Sequence, residues 1–160
     1  AENQVKQQIE SFISINGTKT VDYFHKTLGE LLYDYCGLAR NEEGLKYAIE
    51  EIRKLKQEFY KNVKVSGQGD TMNSELEKAG RVADYFEIGE LMCYDALTRN
   101  ESCGAHFREE YQTPDGEALR NDAEFQFISA WAWKGENNEP ELIKEPLIFE
   151  EIQPTVRSYK

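Results

Sequence analysis

Sulfur is sparse in this chain. Cys36, Cys93 and Cys103 are the three cysteines among 160 residues, and no two form a C-x-x-C pair. An odd number excludes a closed disulfide framework and the spacing offers no zinc site, so reduced thiols are expected. Histidine is scarcer still, with His25 and His106 alone, which leaves few ways to pair a nucleophile with a base. No Walker A motif, Ser-His-Asp order or H-E-x-x-H occurs, nor any internal repeat or low-complexity segment. No apolar run reaches the roughly 18–20 residues of a membrane span, and no basic-then-apolar leader is present, so direct membrane insertion is not expected. Positive charge is short as well. The net charge of -11 is spread as interspersed Glu and Lys, a surface that repels nucleic-acid phosphates and anionic lipids. These absences predict a soluble intracellular chain of one domain, long enough to bury about 70% of its unfolded surface. Asn16-Gly17-Thr18 and Asn100-Glu101-Ser102 are glycosylation triplets with meaning only in a secreted protein. The chain begins at Ala1 without an initiator Met, as a trimmed or excised segment would.

What is present is helical periodicity. Val5, Ile9 and Phe12 mark a short first helix ending before the turn dipeptide Asn16-Gly17. Val21, Phe24, Leu28, Leu31, Leu32 and Tyr35 recur on one face of a second, which Gly37 stops. Asn41 is placed to cap a third, with Glu42 and Glu43 at its positive end and Leu45, Ala48, Ile49, Ile52, Leu55 and Phe59 inward. After the loop Val65–Asp70, Asn73 or Ser74 caps a fourth that buries Leu76, Ala79, Val82, Ala83, Phe86, Cys93 and Leu97 and runs to about Arg99.

Beyond Glu110 the period changes. Phe125, Phe127, Trp131 and Trp133 alternate with polar neighbours, the pattern of a half-buried strand. Gly135–Pro140 supplies a hairpin loop, and Leu142–Phe149 returns as the second strand, with Pro146 confined to an edge because it lacks an amide donor. The expected fold is mainly α: an up-down-up three-helix bundle, spectrin-repeat-like, with a C-terminal β-hairpin and irregular tail. Residues 1–110 form the bundle, a short N-terminal helix plus three long ones; residues 111–160 form a hairpin and tail packed on it in the same domain.

Gly67-Gln68-Gly69 opens like a dinucleotide fingerprint but lacks the third glycine. His25, between Phe24 and Lys26 on the second helix, reads as a surface or interfacial histidine. The run Leu97–Glu110 differs, since it gathers Arg99, Glu101, Cys103, His106 and Arg108 where a helix gives way to irregular chain. The bland interpretation has Arg99 serving the negative helix end, Gly104 permitting an awkward backbone angle, and Glu109 and Glu110 solvated. A thiolate enzyme built on Cys103 and His106 is an alternative, though no oxyanion site accompanies it.

The same run, Leu97-Thr98-Arg99-Asn100-Glu101-Ser102-Cys103-Gly104-Ala105-His106-Phe107-Arg108-Glu109-Glu110, resembles the R-x-E-S-R-G-A-H-x-R-x-D stretch of succinate dehydrogenase and fumarate reductase flavoprotein subunits. Gly37–Leu45 is similar to that family's G-x-x-R-x-E-x-x-L segment, Asn73-Ser74-Glu75-Leu76 to its N-x-E-L, and Arg157-Ser158-Tyr159-Lys160 to its terminal R-x-Y. The resemblance spans Leu28 to Lys160. Cys103 departs from it, standing where the family usually carries arginine, and so loses a charged donor.

The resemblance implies the helical C-terminal domain of a larger subunit that interconverts succinate and fumarate. Its flavin domain binds FAD, a capping domain closes over the dicarboxylate, and electrons pass to an iron-sulfur subunit and quinone. No catalytic, cofactor-binding or metal residue of the family maps onto this chain, so the fragment by itself is expected to be inactive and to bind no cofactor. Arg99, Glu101, Cys103, His106 and Arg108 are implied to lie at the interface with the flavin and capping domains. The parent complex would be peripheral on the cytoplasmic face of a bacterial inner membrane. L-aspartate oxidase and adenylylsulfate reductase share the layout, and a free-standing helical interaction module is the competing interpretation.

Overall fold

The computed structural model describes residues 2–135 and 138–155. Four helices come first: α1 (Glu2–Ser14), α2 (Val21–Cys36), α3 (Glu42–Asn62) and α4 (Ser74–Thr98). Two residues ahead of α2, β1 (Lys19–Thr20), pair in parallel with two after α3, β2 (Val63–Lys64). A single-turn helix α5 (Asp122–Phe125) and the strands β3 (Phe127–Ala132) and β4 (Glu141–Pro146) complete the order. The mainly α class is as expected. The chain divides into two compact units, with the boundary between Leu97 and Thr98, so the charged run belongs to the second.

In the first unit the side chains fix the helix directions. Arg53 pairs with Glu90 and Lys56 with Glu87, so α3 and α4 run antiparallel. Asp22 meets Lys78, and further along Leu32 meets the backbone of Gly89, so α2 and α4 run the same way. This is the up-down-up order. The core holds one phenylalanine from each helix: Phe59 lies 5.8 Å from Phe12, 5.2 Å from Phe24 and 5.5 Å from Phe86, centroid to centroid and edge-on. Such contacts add to the area each ring buries.

Caps set the helix starts. Thr20 Oγ1 accepts from the Tyr23 amide, and Asn41 Oδ1 from that of Gly44 at 2.8 Å. Asn73, rather than Ser74, caps α4: its Oδ1 accepts from the Glu75 and Leu76 amides while its side-chain amide donates to the carbonyls of Ser66 and Gln68. Gly17 serves a close approach of two backbones, since a Cβ there would lie 2.1 Å from the Asn62 carbonyl oxygen. The α1 stripe is mostly unburied, with Phe12 inside and Val5 54% exposed.

In the second unit the hairpin is shorter than expected. Phe125 is helical rather than extended, and β4 stops at Pro146, paired with Phe127 at the end of the ladder. A strand cannot readily continue through a residue with no donor; one more bond, from the Leu147 amide to Gln126, follows it. Phe127 and Trp131 are half-buried, whereas Trp133 is 78% exposed. Glu136 and Asn137 of the expected turn, and the terminal Arg157–Lys160, lie outside the described residues.

Candidate functional site

Past the end of α4 the chain folds back on itself. Cys103 and His106 exchange backbone hydrogen bonds at 2.8 and 3.1 Å, and Gly104 between them takes a φ of +59°, a left-handed angle that glycine adopts without penalty. The His106 ring then closes the loop, its Nε2–H donating to the Arg99 carbonyl at 2.9 Å. That ring nitrogen is therefore engaged with backbone rather than directed at the Cys103 thiol.

Beneath this turn lies a polar network. Glu101, 3% exposed, accepts from Arg99 at 2.8 Å through one carboxylate oxygen and from the Asn121 amide at 2.9 Å through the other. Arg99 also donates to the carbonyls of Phe125 and Phe127, and its guanidinium lies 4.9 Å from the Phe127 ring centre. A buried carboxylate needs a paired cation and its lone pairs filled, and one planar donor fork supplies both the pairing and an anchor for α5 and β3. Arg108 is 1% exposed. It donates to Glu110 at 3.1 Å and lies over the Tyr111 ring, while its backbone N–H and C=O both engage the fully buried hydroxyl of Ser102. Among the described residues no buried side-chain polar atom lacks a partner.

Of the five expected residues, Arg99, Glu101 and His106 are joined in one network, and Arg108 is held beside it through Ser102. Cys103, with Gly104 and Ala105, forms the exposed tip. Sequence reasoning passed over Ser102 although it lies inside the motif; its neighbours Glu101 and Arg108 were the available signal. It also passed over Arg120, whose guanidinium grips the Asp122 carboxylate with two donors and the Thr155 carbonyl with a third. An i, i+2 pair in irregular chain leaves no pattern to read.

The Gly37–Leu45 and Asn73–Leu76 segments are built into the bundle. Arg40 donates to the Gly37 carbonyl at 2.9 Å, Asn41 caps α3, and Leu45 is fully buried; the role of Asn73 is given above. Nor does Gly67-Gln68-Gly69 form a phosphate cradle. The space beside Gly67 is filled by the Asn73 side chain and that beside Gly69 by Ile9 and Ile13 of α1, so the loop is packed against neighbouring side chains and does not fit a dinucleotide. A groove of about 390 Å³ between α2 and α3, lined in part by Glu30, Asp34, Tyr35, Tyr47 and Glu51, lies wholly in the first unit and holds none of the expected residues. No helix among the described residues is long and apolar enough to cross a membrane.

Comparison with known proteins identifies the family. Residues 25–159 match the family described as fumarate reductase flavoprotein C-term. An uncharacterised FAD-dependent oxidoreductase of Methanocaldococcus jannaschii is 34% identical over 69% of this chain and 20% of its own length. The fumarate reductase flavoprotein subunit of Haemophilus influenzae is 24% identical over 97% of this chain and 24% of its own. A solved E. coli quinol fumarate reductase, mutated in its FrdA chain, superposes with a TM-score of 0.74 at 19% identity, covering 96% of this chain and 25% of that one; at that identity it speaks for the fold. The chain thus spans a fifth to a quarter of the length of these relatives. With the family match covering most of its residues, the chain belongs to the C-terminal domain family of fumarate reductase and succinate dehydrogenase flavoproteins.

Proposed function

We propose that this chain supports, rather than performs, flavin chemistry: it is the part of an FAD-dependent subunit that braces the flavin and capping domains while they interconvert succinate and fumarate. The match over residues 25–159 carries this reading. The internal use of Arg99, Glu101 and Arg108 fits it, since these side chains give the exposed tip Cys103-Gly104-Ala105 and the adjoining His106 a rigid base from which to meet a neighbouring domain. FAD, held by the rest of the subunit, supplies the hydride acceptor. Electrons then leave through an iron-sulfur subunit to quinone in a complex peripheral on the cytoplasmic face of a bacterial inner membrane.

Turnover and flavin binding test this directly. The subunit carrying its flavin portion is expected to oxidise succinate or reduce fumarate, whereas FAD added to the 160-residue chain keeps its free absorbance spectrum. A chain that turned yellow with FAD and converted succinate alone would overturn the reading.

In a second reading the same domain supports a related flavoprotein such as L-aspartate oxidase, with which the 34% identity to an FAD-dependent oxidoreductase is compatible. Oxidation of L-aspartate in place of succinate by the whole subunit would select it.

A further inference from the structure

We infer that Cys36 and Cys93 are a redox modification site, a buried dithiol that a small hydroperoxide converts to a disulfide joining the end of α2 to α4. The parallel run of these helices sets the two residues opposite each other. Leu32 packs on Gly89, and four residues on in each helix stand Cys36 and Cys93. Both are in the core, at 5% and 0% exposure.

The surroundings separate the two thiols chemically. The Cys93 thiol beside it and the charge of Arg40 hold Cys36 down at about 7, while the neighbouring sulfur and burial push Cys93 up. Arg40 is kept at the end of α2 by its bond to the Gly37 carbonyl, where its charge counters the negative helix terminus that would otherwise oppose a thiolate. Cys36 is thus the attacking sulfur and Cys93 the resolving one. The Cys36 thiolate displaces hydroxide from hydrogen peroxide to give a sulfenic acid; Cys93, losing its proton, attacks that sulfur and expels water. Two thiols and one peroxide become one disulfide and two waters. Burial suits a peroxide because larger oxidants are kept from the pair.

The test is peroxide treatment of the natively purified protein, then thiol alkylation and peptide mapping, alongside C103S, which removes the exposed third thiol. The expected product in both proteins is a dithiothreitol-sensitive Cys36–Cys93 cross-link two hydrogens lighter than its parent peptides, with Tm raised by several degrees. C36S and C93S are each expected to abolish it. Recovery of Cys36 and Cys93 as alkylated free thiols, at a dose that oxidises Cys103 to its sulfinic acid, would sink the inference. So would a cross-link that forms only in urea.

Discussion

Arg99 and Glu101 stand two residues apart and face each other, guanidinium to carboxylate at 2.8 Å, with the carboxylate 3% exposed and the cation side 20%. Removing one member of such a pair costs more than the pair itself contributes, because the other is left buried and charged. Arg99→Ala is therefore expected to destabilise the second unit by about 3 kcal/mol, the lower end of the range because Arg99 is partly solvated. Arg99→Lys should restore the charge and only part of the loss, since an ammonium cannot reach Glu101, Phe125 and Phe127 with one planar fork. Both tryptophans, Trp131 and Trp133, lie in or beside β3, so denaturation followed by tryptophan fluorescence reads this unit. Equal stability of Arg99→Ala and the parent would contradict the account.

Phe59→Ala should cost about 3–5 kcal/mol, the range for truncating a fully buried ring, because three other phenylalanine rings lose their shared neighbour. Urea unfolding followed by helical circular dichroism measures it.

Asn73 has two functions that substitution can separate. Asn73→Asp retains an oxygen for the Glu75 and Leu76 amides but loses the donors to Ser66 and Gln68. The α4 cap should survive and the 65–70 loop should exchange its amide hydrogens faster. Asn73→Ala should lose both, with about 1 kcal/mol attributable to the cap.

Glycine substitutions should split by sign. A Cβ at Gly29 in α2 or Gly80 in α4 meets nothing within 4 Å, so alanine at either is expected to stabilise by up to about 1 kcal/mol through helix propensity. Gly17→Ala forces the Asn62–Val63 backbone aside and should lower Tm. Thermal unfolding of the three variants separates these outcomes.

Cross-linking of Cys36 to Cys93 by peroxide should accelerate as pH rises through about 7, since the thiolate is the nucleophile and Cys36 is the lowered thiol. A rate flat from about pH 6 to 8 would remove Cys36 as the attacking group.

How much of this was legible beforehand depended on whether burial leaves a period. The stripes from Val21 through Leu97 did, because a helix with one face in a core must repeat apolar residues, and Asn41 announced its cap by chemistry alone. The β1–β2 pairing could not, since two residues are too few to alternate. Leu147–Phe149 had the composition of a strand and no partner backbone to pair with beyond Leu147. In the charged run the residue types were visible but their partners were not: Arg99 anchors on the Phe125 and Phe127 carbonyls and Glu101 on the Asn121 amide, groups that every residue carries and no sequence distinguishes.

The Lys19–Val63 and Thr20–Lys64 pairing, small as it is, decides how the bundle bears load. The two segments point the same way, with the chain arriving at one and departing from the other. Tension applied through the polypeptide therefore slides them past each other, and their bonds must yield together rather than peel open in turn. Between them α2 and α3 are enclosed as a clasped pair, shielded from a pull on the chain until that small latch gives way.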